Sequence, residues 1–150
     1  MSQSLSKIYI HIVFSTKNRK PILTNQIQKE LFPYVATVLR DHQSNAYKVG
    51  GFTDHIHIAC SLSKTQSATE LINIIKTTSS KWLKQRFPEL PDFSWQHGYG
   101  VFSFGQSGLQ AVMKYIENQE EHHTQQSFKK ELIALLNKYA IEYDEQYLWD

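Results

Sequence analysis

A chain of 150 residues, 41% hydrophobic and 20% charged, has the size and make-up of one water-soluble domain that buries a core without metal or disulfide staples. Its one cysteine, Cys60, excludes an internal disulfide and fits a reducing compartment. The opening MSQSLSKIYIHIVF is neither a signal peptide nor a membrane span, so residues 1–150 are expected to form a single cytoplasmic domain. The net charge of +2 conceals a gradient, from +5 over residues 1–53 to −5 over residues 117–150, which marks either a polyanion-facing side or solvated helix faces.

In chain order, LSKIYIHIVFST alternates, with Ile8, Ile10, Ile12 and Phe14 on one face, and predicts a first strand. TKNRKP is a polar, basic turn. From Thr24, a suitable N-cap, Ile27, Leu31, Val35, Val38 and Leu39 recur at helical spacing, with Pro33 expected to bend or delay the helix. NAYKVGGF predicts a second strand in which Gly50-Gly51 make a bend or bulge. HIHIACSL is the third strand. A helix follows from about Ser67 to Phe87, with Leu71, Ile74, Ile75, Trp82 and Leu83 as its buried stripe. FPELPDFSW reads as a proline-punctuated loop and GYGVFSF as a fourth strand. Two helices, from about Ser107 to His122 and from Ser127 to Tyr139, close the chain.

This β-α-β-β-α-β order is the split-βαβ, ferredoxin-like arrangement of the α+β class. Strands one and three occupy the middle of an antiparallel sheet, two helices cover one face, and the additional C-terminal helices remain to be placed. Because successive strand side chains alternate, Ile56, Ile58 and Cys60 face the core. His55 and His57 share the other face with His11 of the first strand. Two imidazoles on one strand face suit a divalent metal, provided a further ligand joins them. Neither belongs to the apolar face, so their replacement by alanine is expected to spare the fold. In VMKYIENQEEHH, Tyr115 and Gln119 lie four apart and therefore one helical turn from each other. His122 and His123 follow and read as solvated helix-end residues, not ligands.

Together these features resemble the single-domain tyrosine transposases of the HUH endonuclease superfamily, named for two histidines around a bulky apolar residue, here His55, Ile56 and His57. The pair Tyr115 and Gln119 is similar to that family's nucleophilic tyrosine and following glutamine. HIVFSTKNRKPIL, WQHGYGVFSFG, YIENQEEHHTQQSFKKEL and IEYDEQYLW extend the likeness through nearly the whole chain. The resemblance implies a DNA transposase that cleaves and rejoins single-stranded DNA bearing hairpin ends. Tyr115 is then the nucleophile, giving a 5′-phosphotyrosine intermediate, and Mg²⁺ or Mn²⁺ is held by His55, His57 and Gln119. It further implies a homodimer whose active sites are shared between chains, with Gly105 and Gly108 as hinge residues ahead of the tyrosine helix. No nucleotide cofactor is expected, since one phosphodiester replaces another and no phosphate-binding glycine motif is found.

Around this centre, Asp54 either orients an imidazole or caps the strand, and His11 is expected as a supporting neighbour. Lys17, Arg19 and Lys20 of the basic turn are the expected phosphate contacts, against the alternative of a solvated turn. Tyr99 is placed to stack on unpaired bases, while Phe102 and Phe104 are expected in the core. The competing reading is a domesticated or non-catalytic nucleic-acid-binding module on the same scaffold, which calls for exposed aromatics where this chain has His11, His55 and His57. A zinc hydrolase using the histidine pair with Asp54 leaves Tyr115 and Gln119 without a role.

Overall fold

The computed structural model describes residues 2–123 and 126–150, and the side chain of His122 lies outside the described part. The alternating segments form strands Tyr9–Ser15 (β1) and His55–Ser61 (β3), paired antiparallel with Ile12 opposite Ile58 and Val13 opposite His57. Ala46–Gly51 (β2) and Gly100–Phe104 (β4) flank them, giving the order β2-β3-β1-β4 with every pairing antiparallel. Helices Asn25–Asp41 (α1) and Ala68–Arg86 (α2) complete the ferredoxin-like βαββαβ unit.

Both helices start at side-chain caps. Thr24 accepts the Ile27 amide at 3.3 Å and Ser67 the Glu70 amide at 3.1 Å. Pro33 lies inside α1 without delaying its start. Under the two helices, Ile10, Ile12, Phe14, Ile56, Ile58 and Cys60 are buried against Leu31, Leu39, Leu71 and Ile75. On α2 the buried row runs through Leu71, Ile75, Ser79 and Leu83, one residue per turn. Ile74 and Trp82, expected in the stripe, flank that row half-buried, with Trp82 stacked on Tyr34. Ser79 is compensated, since its hydroxyl accepts the Trp95 indole N–H at 2.9 Å. The proline-punctuated loop also belongs to the core, burying Phe87, Leu90, Phe93 and Trp95.

The opposite face is roofed by Leu109–Glu117 (α3), Gln119–His123 (α4) and Phe128–Lys138 (α5), with a last short helix, Glu145–Leu148 (α6). The single helix expected over 107–122 is divided at Asn118. Glycine, not a bend, seats α3. A Cβ at Gly50 would lie 2.8 Å from both the side chain and the carbonyl oxygen of Ile116, so helix and strand meet at this distance only because none is there. The expected bulge is elsewhere: Gly50 and Gly51 pair regularly with His57 and Ile56, and the register slips between Ala46 and Lys48. Under α5, Val13, Phe102, Phe128, Leu132 and Leu136 form a second apolar cluster. Phe102 is thus buried as expected, while Phe104 stays half-buried against Tyr9.

A candidate active site on the second sheet face

β1 and β3 deliver His11, His55 and His57 to the face under α3–α5, and all three are buried. Their ring nitrogens are individually held. His55 Nδ1 lies 2.7 Å from Asp54 Oδ1, which makes Asp54 an orienting partner of the imidazole; its backbone carbonyl separately accepts the Thr16 amide. His57 Nδ1 lies 2.8 Å from His11 Nε2. The Nε2 atoms of His55 and His57 point inward, toward α4 and α5.

What meets them is a residue whose role the sequence pattern did not signal. Glu131 Oε1 lies 3.0 Å from His57 Nε2, 3.0 Å from His123 Nε2 and 3.4 Å from His55 Nε2. Glu131 falls in the first turn of α5, which Ser127 caps, its hydroxyl oxygen accepting the Lys130 amide. The carboxylate therefore also sits near the positive end of that helix. Its second oxygen, Oε2, accepts the Tyr115 phenol and, at 3.1 Å, the Gln119 side-chain N–H. Gln119 Oε1 in turn lies 2.9 Å from both His55 Nε2 and His123 Nε2.

His123, expected as a solvated helix end, is instead tucked into the cluster, with Nδ1 2.7 Å from the Gln126 carbonyl. Both residues nonetheless leave a trace in the sequence. His123 follows Gln119 at i+4, and Glu131 interrupts the apolar row Phe128, Leu132, Leu136, where a carboxylate needs a buried partner.

The electrostatics follow from this packing. Burial opposes charge on Glu131, yet hydrogen bonds from His123, His55 and His57 hold its carboxyl well below the usual carboxylate range. Burial likewise opposes charge on His55, but its bonds to Asp54 and Glu131 raise it to about 9. His57 is lowered to about 4 and His11 to about 3, chiefly by burial. Tyr115 is pushed up by burial and by the adjacent Glu131 carboxylate, so in this state its phenol keeps its proton. His55 and His57 are wholly buried and bonded, so replacing them with alanine removes packing and partners. Against the expectation of a spared fold, the substitution therefore carries a stability cost, which circular dichroism of the variant measures.

One donor atom each from His55, His57, His123 and Glu131 lies within 4.8 Å of the others, so the residues present fit a divalent cation. Beside them, Tyr115 opens onto a cavity of about 410 Å³ lined also by His11, Glu131, Leu135, Lys138 and Tyr139. The remaining expected residues lie around this centre less directly. Lys17 and Lys20 are exposed and line a separate cleft that also holds Glu89 and Asp92, while the Arg19 guanidinium covers the Trp149 ring. Tyr99 is partly exposed, its hydroxyl bonded to Thr69. Gly105 and Gly108 adopt φ of −91° and −92°, values open to any residue, so this conformation makes no use of glycine's freedom.

Comparison with known proteins gives this geometry a context. Among solved structures, the fold is similar to a Deinococcus radiodurans R1 protein described as a transposase, with TM-score 0.65 and 18% identity over 79% of this chain and 98% of that one. It is also similar to a REP-associated tyrosine transposase bound to a REP hairpin, with TM-score 0.57 and 16% identity over 82% of this chain and 74% of that one. No curated protein matches the sequence significantly. The model of the IS200-like transposases matches residues 4–119, from ahead of β1 through the helix that carries Tyr115 to Gln119. With that match over most of its length, on a sheet of the same fold, the chain belongs to the IS200-like transposase family and is a DNA-processing enzyme.

Proposed function

We propose that the protein cleaves and rejoins single-stranded DNA through a covalent bond to Tyr115. The observation that carries this reading is the Tyr115 phenol bonded to Glu131, whose other oxygen faces His55, His57 and His123. The hydrogen bond that orients the nucleophile and a candidate cation site thus share one carboxylate.

In the reaction, the scissile phosphodiester enters the cavity beside Tyr115, where Lys138 offers a cation to its charge. The phenolic oxygen, oriented by its hydrogen bond to Glu131 Oε2, attacks phosphorus and its proton passes to solvent as the bond forms. The P–O3′ bond breaks, the leaving oxygen takes a proton from water and departs as a 3′-hydroxyl, and a 5′-phosphotyrosine remains. Reversal with a different 3′-hydroxyl rejoins strands without a nucleotide cofactor. A divalent ion held by His55 and His57, with Gln119 beside them, supplies Lewis acidity to the phosphate when bound. His11 and Asp54 fix the two imidazoles from behind.

The substrate in this reading is a hairpin-bearing single strand, supported by the similar transposase described with a REP hairpin. Lys17, Arg19 and Lys20 are its outer phosphate contacts and Tyr99 a stacking surface. The enzyme acts where its DNA is, in the cytoplasm. As a homodimer it can place the tyrosine helix on its own sheet, as in the single chain described, or on a partner's. The test is incubation with hairpin-bearing single strands from the flanks of its own gene, with a gel readout of the covalent adduct. The adduct is expected on Tyr115 and is absent from Tyr115→Phe. An adduct that persists in that variant moves the nucleophile elsewhere, and DNA binding without cleavage favours the non-catalytic module.

A further inference from the structure

The histidine pair has more company than the matched part of the family accounts for. That match ends at Gln119, whereas His123 and Glu131 lie beyond it, on α4 and α5. The three Nδ1 atoms are each engaged from behind, by Asp54, His11 and the Gln126 carbonyl. This is how proteins fix the far nitrogen of metal-bound imidazoles. The three Nε2 atoms converge on one carboxylate oxygen at 3.0–3.4 Å. His55 and His123 each face oxygen acceptors on both ring nitrogens, from Asp54, Gln126, Gln119 and Glu131. An imidazole surrounded in that way requires positive charge at its inner nitrogen, either a ring proton or a cation.

We propose that this chain builds a four-donor site from His55, His57, His123 and Glu131, completed by its C-terminal helices and suited to a first-row transition metal in preference to Mg²⁺. The preference follows from the donors: imidazole nitrogens bind Mn²⁺, Co²⁺ and Zn²⁺ along a rising series, while Mg²⁺ keeps to oxygen and water. Glu131 then has two tasks, with Oε1 toward the cation and Oε2 toward the tyrosine, so the segment that closes the site also sets the nucleophile. The inference rests on the active-site reading above for its location and extends it in donor set and metal class.

The test is titration of the purified full-length chain with Co²⁺ alone, followed by its visible ligand-field absorption. One Co²⁺ per chain is expected, and a large molar excess of Mg²⁺ should not displace it. His123→Ala and Glu131→Gln should each weaken binding by more than about 100-fold, whereas Asp54→Asn, which removes only a supporting partner, should cost about 10–100-fold. Circular dichroism and hairpin binding in EDTA confirm that each variant is folded. If folded His123→Ala and Glu131→Gln bind Co²⁺ as tightly as the parent, the four-donor site is wrong, while cleavage lost in a His55→Ala/His57→Ala chain still upholds the active-site reading. Displacement by Mg²⁺ at comparable concentration overturns the metal preference, and a parent chain that binds no Co²⁺ overturns the site.

Discussion

The two faces of one sheet bury side chains equally well and by different physics. On the face under α1 and α2, Ile12, Phe14, Ile56 and Ile58 are fully excluded from water among other apolar groups. On the face under α3–α5, His55 and His57 are just as fully excluded, and Gln119 and Glu131 nearly so, but the imidazoles, the amide and the carboxylate are tied to one another by named bonds. The first face is held by area and shape, which are non-directional. The second shares its roof with the apolar cluster under α5, but its histidines are held by a connected set of donors and acceptors, where each loss takes bonds from its partners. Burial alone therefore does not separate core from site. What separates them is whether the buried groups carry an exchangeable proton or a lone pair.

Substitution makes the contrast measurable. Phe14→Ala opens a cavity between the sheet and Trp95 and is expected to cost about 3–5 kcal/mol in urea unfolding. His57→Ala takes one of three imidazoles from the inner oxygen of Glu131 and strands His11 Nε2 on the other side, and is expected to cost about 1–3 kcal/mol. Only the second change should also remove cation binding. Equal losses of stability from both variants would show that the histidine face contributes to folding as strongly as the apolar one.

Strict alternation in β1 and β3 made the division between faces legible: His11, His55 and His57 could be assigned to one side from spacing alone, and Tyr115 and Gln119 to one turn of helix. Glu131 and His123 were harder to read. They reach the site only through tertiary docking of α4 and α5, whose placement no local period specifies. The carboxylate inside the row Phe128, Leu132, Leu136 was the available signal, and its meaning depended on knowing what lay opposite. Gly50 was similar. Glycine in a strand announces a close approach, but that its neighbour is Ile116, one residue after Tyr115, follows from the fold.

pH sharpens the comparison further, since burial pushes Cys60 on the first face up to about 12 while the histidines of the second are shifted around neutral pH. Burial holds His57 at about 4 and His11 at about 3, against about 6.5 in an unfolded chain. Below pH about 6.5 the unfolded chain takes up protons that the fold refuses, so stability falls with falling pH, by up to about 1.4 kcal/mol per unit for each group. His55 runs the other way: raised to about 9, it contributes stability that is fully present below its unfolded value and lost as pH rises toward 9. In EDTA the urea midpoint should therefore peak near pH 6.5. Phe14→Ala should lower that curve without reshaping it, whereas His57→Ala should flatten its acid limb. A curve of unchanged shape in His57→Ala would contradict the assignment.

Tyr115→Phe is expected to change stability least and chemistry most. It removes one hydroxyl from a half-buried ring and leaves Glu131 Oε2 accepting from Gln119 at 3.1 Å, so the cost should stay below about 1.5 kcal/mol while the covalent adduct disappears. That makes it the cleanest partner for a mixing experiment with a His55→Ala/His57→Ala chain. In the described chain, α3 rests on the strand of its own sheet at Gly50, and the segment before it, residues 105–108, is an ordinary turn. With the tyrosine helix docked in cis, each mixed dimer holds one site without histidines and one without a phenol, and the mixture stays inactive. If the helix is exchanged between chains, intact histidines meet an intact tyrosine from the partner, and one composite site is restored in every mixed dimer. Glu131 and His123 follow α3 in sequence, so such an exchange carries half of the proposed cation site with Tyr115. Cobalt binding is the same in either arrangement, since the Tyr115→Phe chain supplies both strand histidines and both chains supply His123 and Glu131, so cleavage is the deciding readout. Recovered cleavage would move α3–α5 to the partner's sheet, and confirmed mixed dimers without it keep Tyr115 on its own.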